Sequence, residues 1–296
     1  MIFSSLEFLC VFLPVVFALY CLLPSIKVKN ALLIVASLLF YAYGEPVYVL
    51  LMIASSFMNY GMARLIAKGE KGKKIFLVLA VALNLGMLAV FKYADFAVDT
   101  VNGLLSTNIP LPGITLPIGI SFFTFQALSY VIDVYWERVE VQKNYFNILL
   151  YISFFPQLIA GPIVKYRDIN EAIENRVMNA DEIAKGLRRF ICGLGKKVLI
   201  ANTAGLVADH VFTAAHSKVN FVVAWIGAIA YLMQIYYDFS GYSDMAIGLG
   251  HMFGFHFKEN FQYPYGADSI QEFWRRWHIS LSTWFKEYLY IPLGGN

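Results

Sequence analysis

The sequence is that of an all-α membrane protein, a polytopic transmembrane helical bundle with interfacial and re-entrant helices, and three observations carry that reading. Of its 296 residues 59% are hydrophobic and 15% are charged, with a mean hydropathy of +0.60; soluble domains carry about 25% charge. Several uncharged runs reach the roughly 17–25 residues that cross a bilayer. The charges that remain collect in short stretches between those runs.

The first run, Phe8–Ile26, has Glu7 where a cleaved signal peptide carries basic residues, so it is read as a retained span. Asn30–Gly44 is shorter and suits a tilted or partial span. Pro46–Ala63 and Ile75–Phe91 flank Lys68, Lys71, Lys73 and Lys74, a basic loop that the positive-inside rule assigns to the cytoplasm. Walking back from it, the Gly44-Glu45-Pro46 turn falls outside, Lys27 and Lys29 inside, and the N-terminus outside. Walking forward, Asn108–Pro117 is an external loop and Glu137–Lys143 a cytoplasmic one, so both walks agree. Between them, Leu116–Trp136 carries Ser121, Thr124, Gln126, Ser129 and Asp133, groups suited to interhelical hydrogen bonds.

Asn144–Val164 is long enough to span, but Phe154–Pro162 places two prolines, a glycine and a glutamine within it. Irregular backbone at depth needs protein or a wet cavity around it, which indicates a kinked or re-entrant element; a plain proline kink is the alternative. Tyr166–Arg189 is polar and amphipathic, a helix pair lying along the membrane or a solvated connector. Val219–Tyr237 is the last long apolar run. The chain, residues 1–296, reads as a single membrane-embedded domain.

The net charge of +3 is too small to indicate nucleic acid. Cys10 and Cys21 share one helix and Cys192 stands alone, so there is no disulfide framework or metal-type spacing. His251 and His256 are five apart, about 140° from each other on a helix, which is poor geometry for one metal. His210 and His216 flank a span end; all four read as interfacial, and no metal site is expected. Gly193-Leu194-Gly195-Lys196-Lys197 lacks the first glycine and the hydroxyl of a phosphate loop. Gly248-Leu249-Gly250 with Gly254 has one residue too many for a dinucleotide fingerprint, and Ser240 and Ser243 lack a nucleophile elbow.

Two motifs carry more. Tyr236–Asp244 puts Asp238, Ser240, Tyr242 and Asp244 at the end of a span. The acids, six apart, share no helical face unless Gly241 bends the helix. They form a polar surface that orients a hydroxyl substrate or pairs with an arginine, or they are structural acids satisfied by helix neighbours. Further on, after the non-helical stretch Asn260–Tyr265, Asp268 or Ser269 caps a new helix and Ser269 with Glu272 makes a capping box. Glu272 then meets Arg275 or Arg276, and one face reads Trp274, His278, Ser282. A neutral His278 there can accept a proton from an alcohol.

These segments, Asp238–Asp244, Asn260-Phe261 and above all Phe273-Trp274-Arg275-Arg276-Trp277-His278-Ile279-Ser280-Leu281-Ser282, resemble the membrane-bound O-acyltransferase family. Pro117–Gln126 and Gln157–Ile163 are also similar to it. The tail Tyr288–Asn296 resembles the branch that holds alginate O-acetyltransferases, with teichoic acid D-alanyl transferases more distant. The resemblance implies an enzyme of the bacterial inner membrane, active in polysaccharide O-acetylation such as alginate biosynthesis. Its acyl donor, acyl-CoA or an acyl-carrier thioester, meets a hydroxyl acceptor on an exported polysaccharide, and no cofactor is tightly bound. The implied partners are membrane lipids, donor, acceptor and an extracytoplasmic acyltransferase. His278 matches the first of two family histidines. The second lies in a later Trp-His-Gly-type motif, so the resemblance implies a domain truncated at the C-terminus, its C-terminal part missing, inactive alone. Arg275 and Arg276 neutralise donor phosphates or pair with Glu272 and a nearby Asp. Rival readings are a polysaccharide or lipid transporter and an inactive scaffold.

Overall fold

A computed structural model describes residues 1–69, 72–159, 161–214 and 220–295. Lys71, Ala160, His216, Val219 and Asn296, which figure in the expectations above, lie outside the described residues. All regular structure among the described residues is helical. In chain order the α-helices are α1 (Leu13–Leu22), α2 (Ile26–Ala42), α3 (Tyr48–Lys68), α4 (Lys73–Leu105), α5 (Ile120–Tyr135), α6 (Tyr145–Ser153) and α7 (Phe155–Leu158). There follow α8 (Tyr166–Asn175), α9 (Ala180–Gly195), α10 (Asn202–Thr213), α11 (Phe221–Met252), α12 (Ile270–Arg276) and α13 (Ile279–Phe285). Wide π-type turns at Phe8–Phe12 and Lys196–Ala201 lead into α1 and α10, and a third, Lys286–Tyr290, follows α13.

Four helices are long and apolar enough to cross a membrane: Tyr48–Lys68, Lys73–Leu105, Ala180–Thr213 and Phe221–Met252. Phe8–Leu22 and Ile120–Tyr135 are shorter apolar helices. Two expectations change here. The amphipathic stretch ending at Arg189 is not a separate interfacial pair, because its second half opens the 34-residue helix Ala180–Thr213. And Asn144–Val164 is not one helix: it breaks at Phe154 (φ −54°, ψ 111°) and makes one turn in α7, and residues 161–165 are not helical.

The chain resolves into two compact units. One comprises Ser25–Ile159 and Lys165–Glu174. In it, Asn59 of α3 and Asn84 of α4, both fully buried, exchange side-chain amide hydrogen bonds at 3.1 and 2.8 Å. Such pairs join helices where lipid offers no hydrophobic drive to associate. On α5, buried Ser129 meets the Tyr151 hydroxyl of α6 at 3.4 Å, and Tyr151 donates to the Gln126 carbonyl at 3.1 Å. Thr124 instead bonds back to its own helix, at the Ile120 carbonyl. Lys73 and Glu137 pair at 2.7 Å, so the two charged loops lie at one end of this unit. Glu45 accepts from the Ile118 amide at 3.2 Å and Tyr48 meets Thr115 at 2.8 Å. The Gly44-Glu45-Pro46 turn and the Pro-rich loop thus share an end, as alternating spans require.

The other unit comprises Met1–Pro24, Ala160–Val164 and Asn175–Asn296. Its centre is the antiparallel pair α9 and α11, joined at two glycine crossings one heptad apart. A Cβ on Gly193 would lie 2.6 Å from the Gly241 carbonyl, and one on Gly186 would lie 2.6 Å from the Gly248 carbonyl. Only glycine permits backbones this close. The Gly-rich segments that fail as nucleotide motifs are therefore helix seams. α11 continues unbroken through Asp238–Asp244 to Met252, so these residues sit inside a helix of roughly 48 Å and not at its end.

Candidate functional site

The motif around His278 folds differently from a continuous helix. Ser269 Oγ accepts from the Glu272 amide at 3.1 Å, which makes Ser269 the N-cap of α12. The Glu272 carboxylate turns back to the Asp268 amide (3.2 Å) and pairs with Arg276. These partners hold its carboxyl below the usual carboxylate range. The helix then stops at Trp277, and His278 takes a left-handed backbone (φ 43°, ψ 54°) as N-cap of α13. The single face Trp274, His278, Ser282 does not form. Trp274 is 54% exposed, whereas His278 is 7% exposed.

The break is held from outside by Asn260-Phe261-Gln262. The Gln262 amide donates to the Arg276 carbonyl and the Ile279 amide to the Asn260 carbonyl, both at 3.0 Å. These two bonds satisfy backbone groups that the interrupted helix would leave orphaned. The Asn260 side chain, fully buried, completes the knot. Its Oδ1 accepts from His278 Nδ1 (3.1 Å), the Ser280 amide (3.1 Å) and Ser280 Oγ (2.9 Å). Ser280 Oγ in turn accepts from the Ile163 amide at 3.0 Å.

This geometry fixes a tautomer. An amide oxygen has no proton to give, so His278 carries its proton on Nδ1 and the lone pair lies on Nε2. The edge of Phe239 meets the imidazole at 4.7 Å and Phe261 stacks on it at 6.4 Å. Burial among these groups pushes the His278 pKa down to about 4, so the ring is neutral at physiological pH. Trp277 belongs to the same aromatic cluster, stacked on Phe273 at 5.6 Å and edge-on to Phe261 at 5.1 Å.

The acids of α11 sit in a second, adjoining network. Asp244 accepts from Arg189 (2.9 Å) and Lys196 (2.6 Å), Arg189 also pairs with Glu259, and Lys197 pairs with Asp238. The two acids have separate partners, Lys196 for Asp244 and Lys197 for Asp238, supplied by consecutive residues of the Lys196–Ala201 turn. Beside them lies a cavity of about 380 Å³, bordered by Arg189, Lys196, Ser240, Asp244, Glu259 and Phe261 among others. Ser240 and Ser243, each 2% exposed, also line it, and their hydroxyls have no hydrogen-bond partner among the described residues. Phe261 is common to this cavity and to the His278 knot. Tyr242 stacks on Phe3 at 4.7 Å.

The structure therefore brings His278, Asn260 and Ser280 together, and Asp244 and Ser240 around a neighbouring cavity. Glu272 and Arg276 form a separate pair. Arg275 is exposed and its side chain makes no hydrogen bond among the described residues, and Trp274 packs edge-on to Phe273. Arg189, Lys196, Lys197 and Glu259 were not foreseen. The available signal was the basic pair Lys196-Lys197 standing in an otherwise apolar stretch.

His251 and His256 also depart from expectation. The 140° separation presumes one continuous helix, but α11 ends at Met252 and Gly254 (φ 82°) reverses the chain. The two rings end 4.7 Å apart, beside Glu182.

Comparison with known proteins agrees with the motifs. Residues 137–296 match the profile of the membrane-bound O-acyltransferase family. The chain is 45% identical over 303 residues to a probable alginate O-acetylase of Pseudomonas syringae pv. tomato, covering 100% of this chain and 58% of the relative. It is 39% identical over 330 residues to a peptidoglycan O-acetyltransferase of Helicobacter pylori, covering 100% and 62%. A teichoic acid D-alanyltransferase of Bacillus subtilis is 29% identical over 180 residues, 59% of this chain and 45% of that protein. The chain thus spans about three fifths of the length of the curated relatives it matches over its whole extent. With over half its length in the family profile and the arginine–histidine motif built around Asn260, this chain belongs to the membrane-bound O-acyltransferase family.

Proposed function

We propose that this chain works in O-acyl transfer, passing an acetyl group from a cytoplasmic thioester to hydroxyls of an exported polysaccharide. The observation that carries the reading is the buried, neutral His278, with Nδ1–H tied to Asn260 Oδ1 and its lone pair on Nε2. Such an imidazole takes the acceptor's hydroxyl proton as the oxygen attacks the acyl carbon, and the thiolate leaves. Burial keeps the ring neutral at physiological pH, so that Nε2 is free of a proton and can accept one. The names of the relatives, acetylases of alginate and of peptidoglycan, support acetyl as the group and a glycan as the acceptor.

On this reading the donor is acyl-CoA or an acyl-carrier thioester, with no tightly bound cofactor. Arg275 and Arg276 orient and do not catalyse; the Glu272–Arg276 pair supports this for Arg276. The chain acts as one domain in a bacterial inner membrane, its N-terminus outside, and hands acetyl groups to the polysaccharide through an extracytoplasmic acyltransferase partner.

The test is transfer of labelled acetyl to polysaccharide by membranes carrying the whole enzyme, wild type or His278→Ala. Loss of transfer with unchanged protein level and thermal stability is expected. Transfer that persists in the folded variant removes His278 from the mechanism.

A further inference from the structure

We infer that Glu182, His251 and His256 form a binding site for a divalent transition-metal ion of the zinc class. Asn179 caps α9 by accepting from the Glu182 amide at 2.7 Å, which fixes Glu182 in the first turn. His251 stands in the last turn of α11, and the reversal at Gly254 returns His256 to it. Glu182 Oε2 is then 2.9 Å from His251 Nδ1 and 3.1 Å from His256 Nε2, and all three ligand atoms lie within 4.8 Å of one another.

These distances fit a metal centre. Zinc bonds of about 2.0–2.2 Å to imidazole and carboxylate place ligand atoms about 3.3 Å apart in a tetrahedron. Opening the two carboxylate contacts by a few tenths of an ångström reaches that spacing, and the two imidazole nitrogens, within 4.8 Å of each other, come to it by rotation of the exposed His256 ring. The second carboxylate oxygen is already occupied: Lys185 Nζ holds Oε1 at 2.8 Å and leaves Oε2 turned to the imidazoles. Supporting bonds of this kind orient a ligating group. The donor set, two imidazoles and one carboxylate, suits zinc, cobalt or nickel over magnesium or calcium.

Two protons now bridge the cluster. A carboxylate only accepts, so His251 donates from Nδ1 and His256 from Nε2. A metal replaces both: each neutral ring moves its proton to the other nitrogen, and a cationic ring releases one. The bound ion would tie the start of α9 and the end of α11 to the segment that leads, four residues later, to Asn260. This function is separate from acyl transfer and does not depend on it.

The experiment uses tag-free protein in detergent, dialysed against buffered zinc and assayed for retained metal, with cobalt absorption as a second readout. His256 is well exposed (side chain 62%), so His256→Ala is expected to fold, which circular dichroism checks. Wild type should retain a single zinc and give a cobalt spectrum; His256→Ala and Glu182→Gln should bind roughly tenfold more weakly or worse. His210→Ala should bind as wild type. Zinc retention by the His251→Ala/His256→Ala double variant equal to wild type, or no retention by wild type, overturns the site.

Discussion

Gly193→Ala tests the helix seam most directly. The added Cβ would lie 2.6 Å from the Gly241 carbonyl oxygen, 2.8 Å from the Met245 amide nitrogen and 2.9 Å from the Asp244 Cβ. All three belong to α11, and two are backbone atoms that no rotamer change can move. Reaching ordinary contact at 3.4 Å requires the helices to part by roughly 0.8 Å, a strain of the overpacking kind that costs about 1–3 kcal/mol. Alanine returns up to about 1 kcal/mol through helix propensity, so the net loss is on the order of 1–2 kcal/mol. The control is Gly61→Ala in α3, where a Cβ meets nothing within 4 Å; propensity alone acts there and stability should hold or rise. Thermal unfolding in detergent, followed by tryptophan fluorescence, should place Gly193→Ala several degrees below Gly61→Ala. If both variants melt together, the close crossing of α9 and α11 is wrong.

Two other outcomes follow from the His278 knot. Asn260→Ala removes the acceptor shared by His278 Nδ1, the Ser280 amide and Ser280 Oγ, and should destabilise the protein by on the order of 3 kcal/mol; Asn260→Asp, which keeps the oxygen, should recover part of the unfolding temperature. The second is pH dependence. His278 titrates at about 4 in the folded protein, against the ordinary histidine value of 6.5 once unfolded, so the unfolded chain binds the proton first. Stability from this group is complete above 6.5 and falls as pH drops toward 4, by at most about 3 kcal/mol. Chemical unfolding at pH 7 and pH 4.5 should show that slope in wild type and a shallower one in His278→Gln.

Helix type was legible throughout because the apolar runs leave no other reading, but their ends were not. Ala180–Thr213 was missed as a span since Lys196, Lys197, Asp209 and His210 interrupt it. Two of those charges are answered by acids 41 and 48 residues away on α11, and no local window contains such partners. The stop at His278 has no proline or glycine to announce it. It exists because Asn260 and Gln262 bond the exposed backbone groups, a tertiary cause. The Ser269–Glu272 cap and the Glu272–Arg276 pair were legible, since each rests on short spacing along one helix, whereas the Asn260–His278 contact, 18 residues apart, was not. The companionship of His251 and His256 was hidden by one left-handed glycine.

The wide turn at Lys196–Ala201 changes the phase of everything that follows it. An α-helix advances about 100° per residue, and a π-type turn absorbs one residue more than an α-turn would. Before it, α9 meets α11 glycine against glycine; after it, α10 meets the same helix with Gly205 under the Gln234 amide and Val211 over Gly227. One extra residue therefore lets a single continuous partner be gripped by two different kinds of seam. Winding that turn as plain α-helix without changing its length would swing Gly205 and Val211 about 100° off α11, whereas deleting one of its residues would remove the wide turn and leave both facing α11. In genetic terms the segment should tolerate loss of one residue better than the insertion of another.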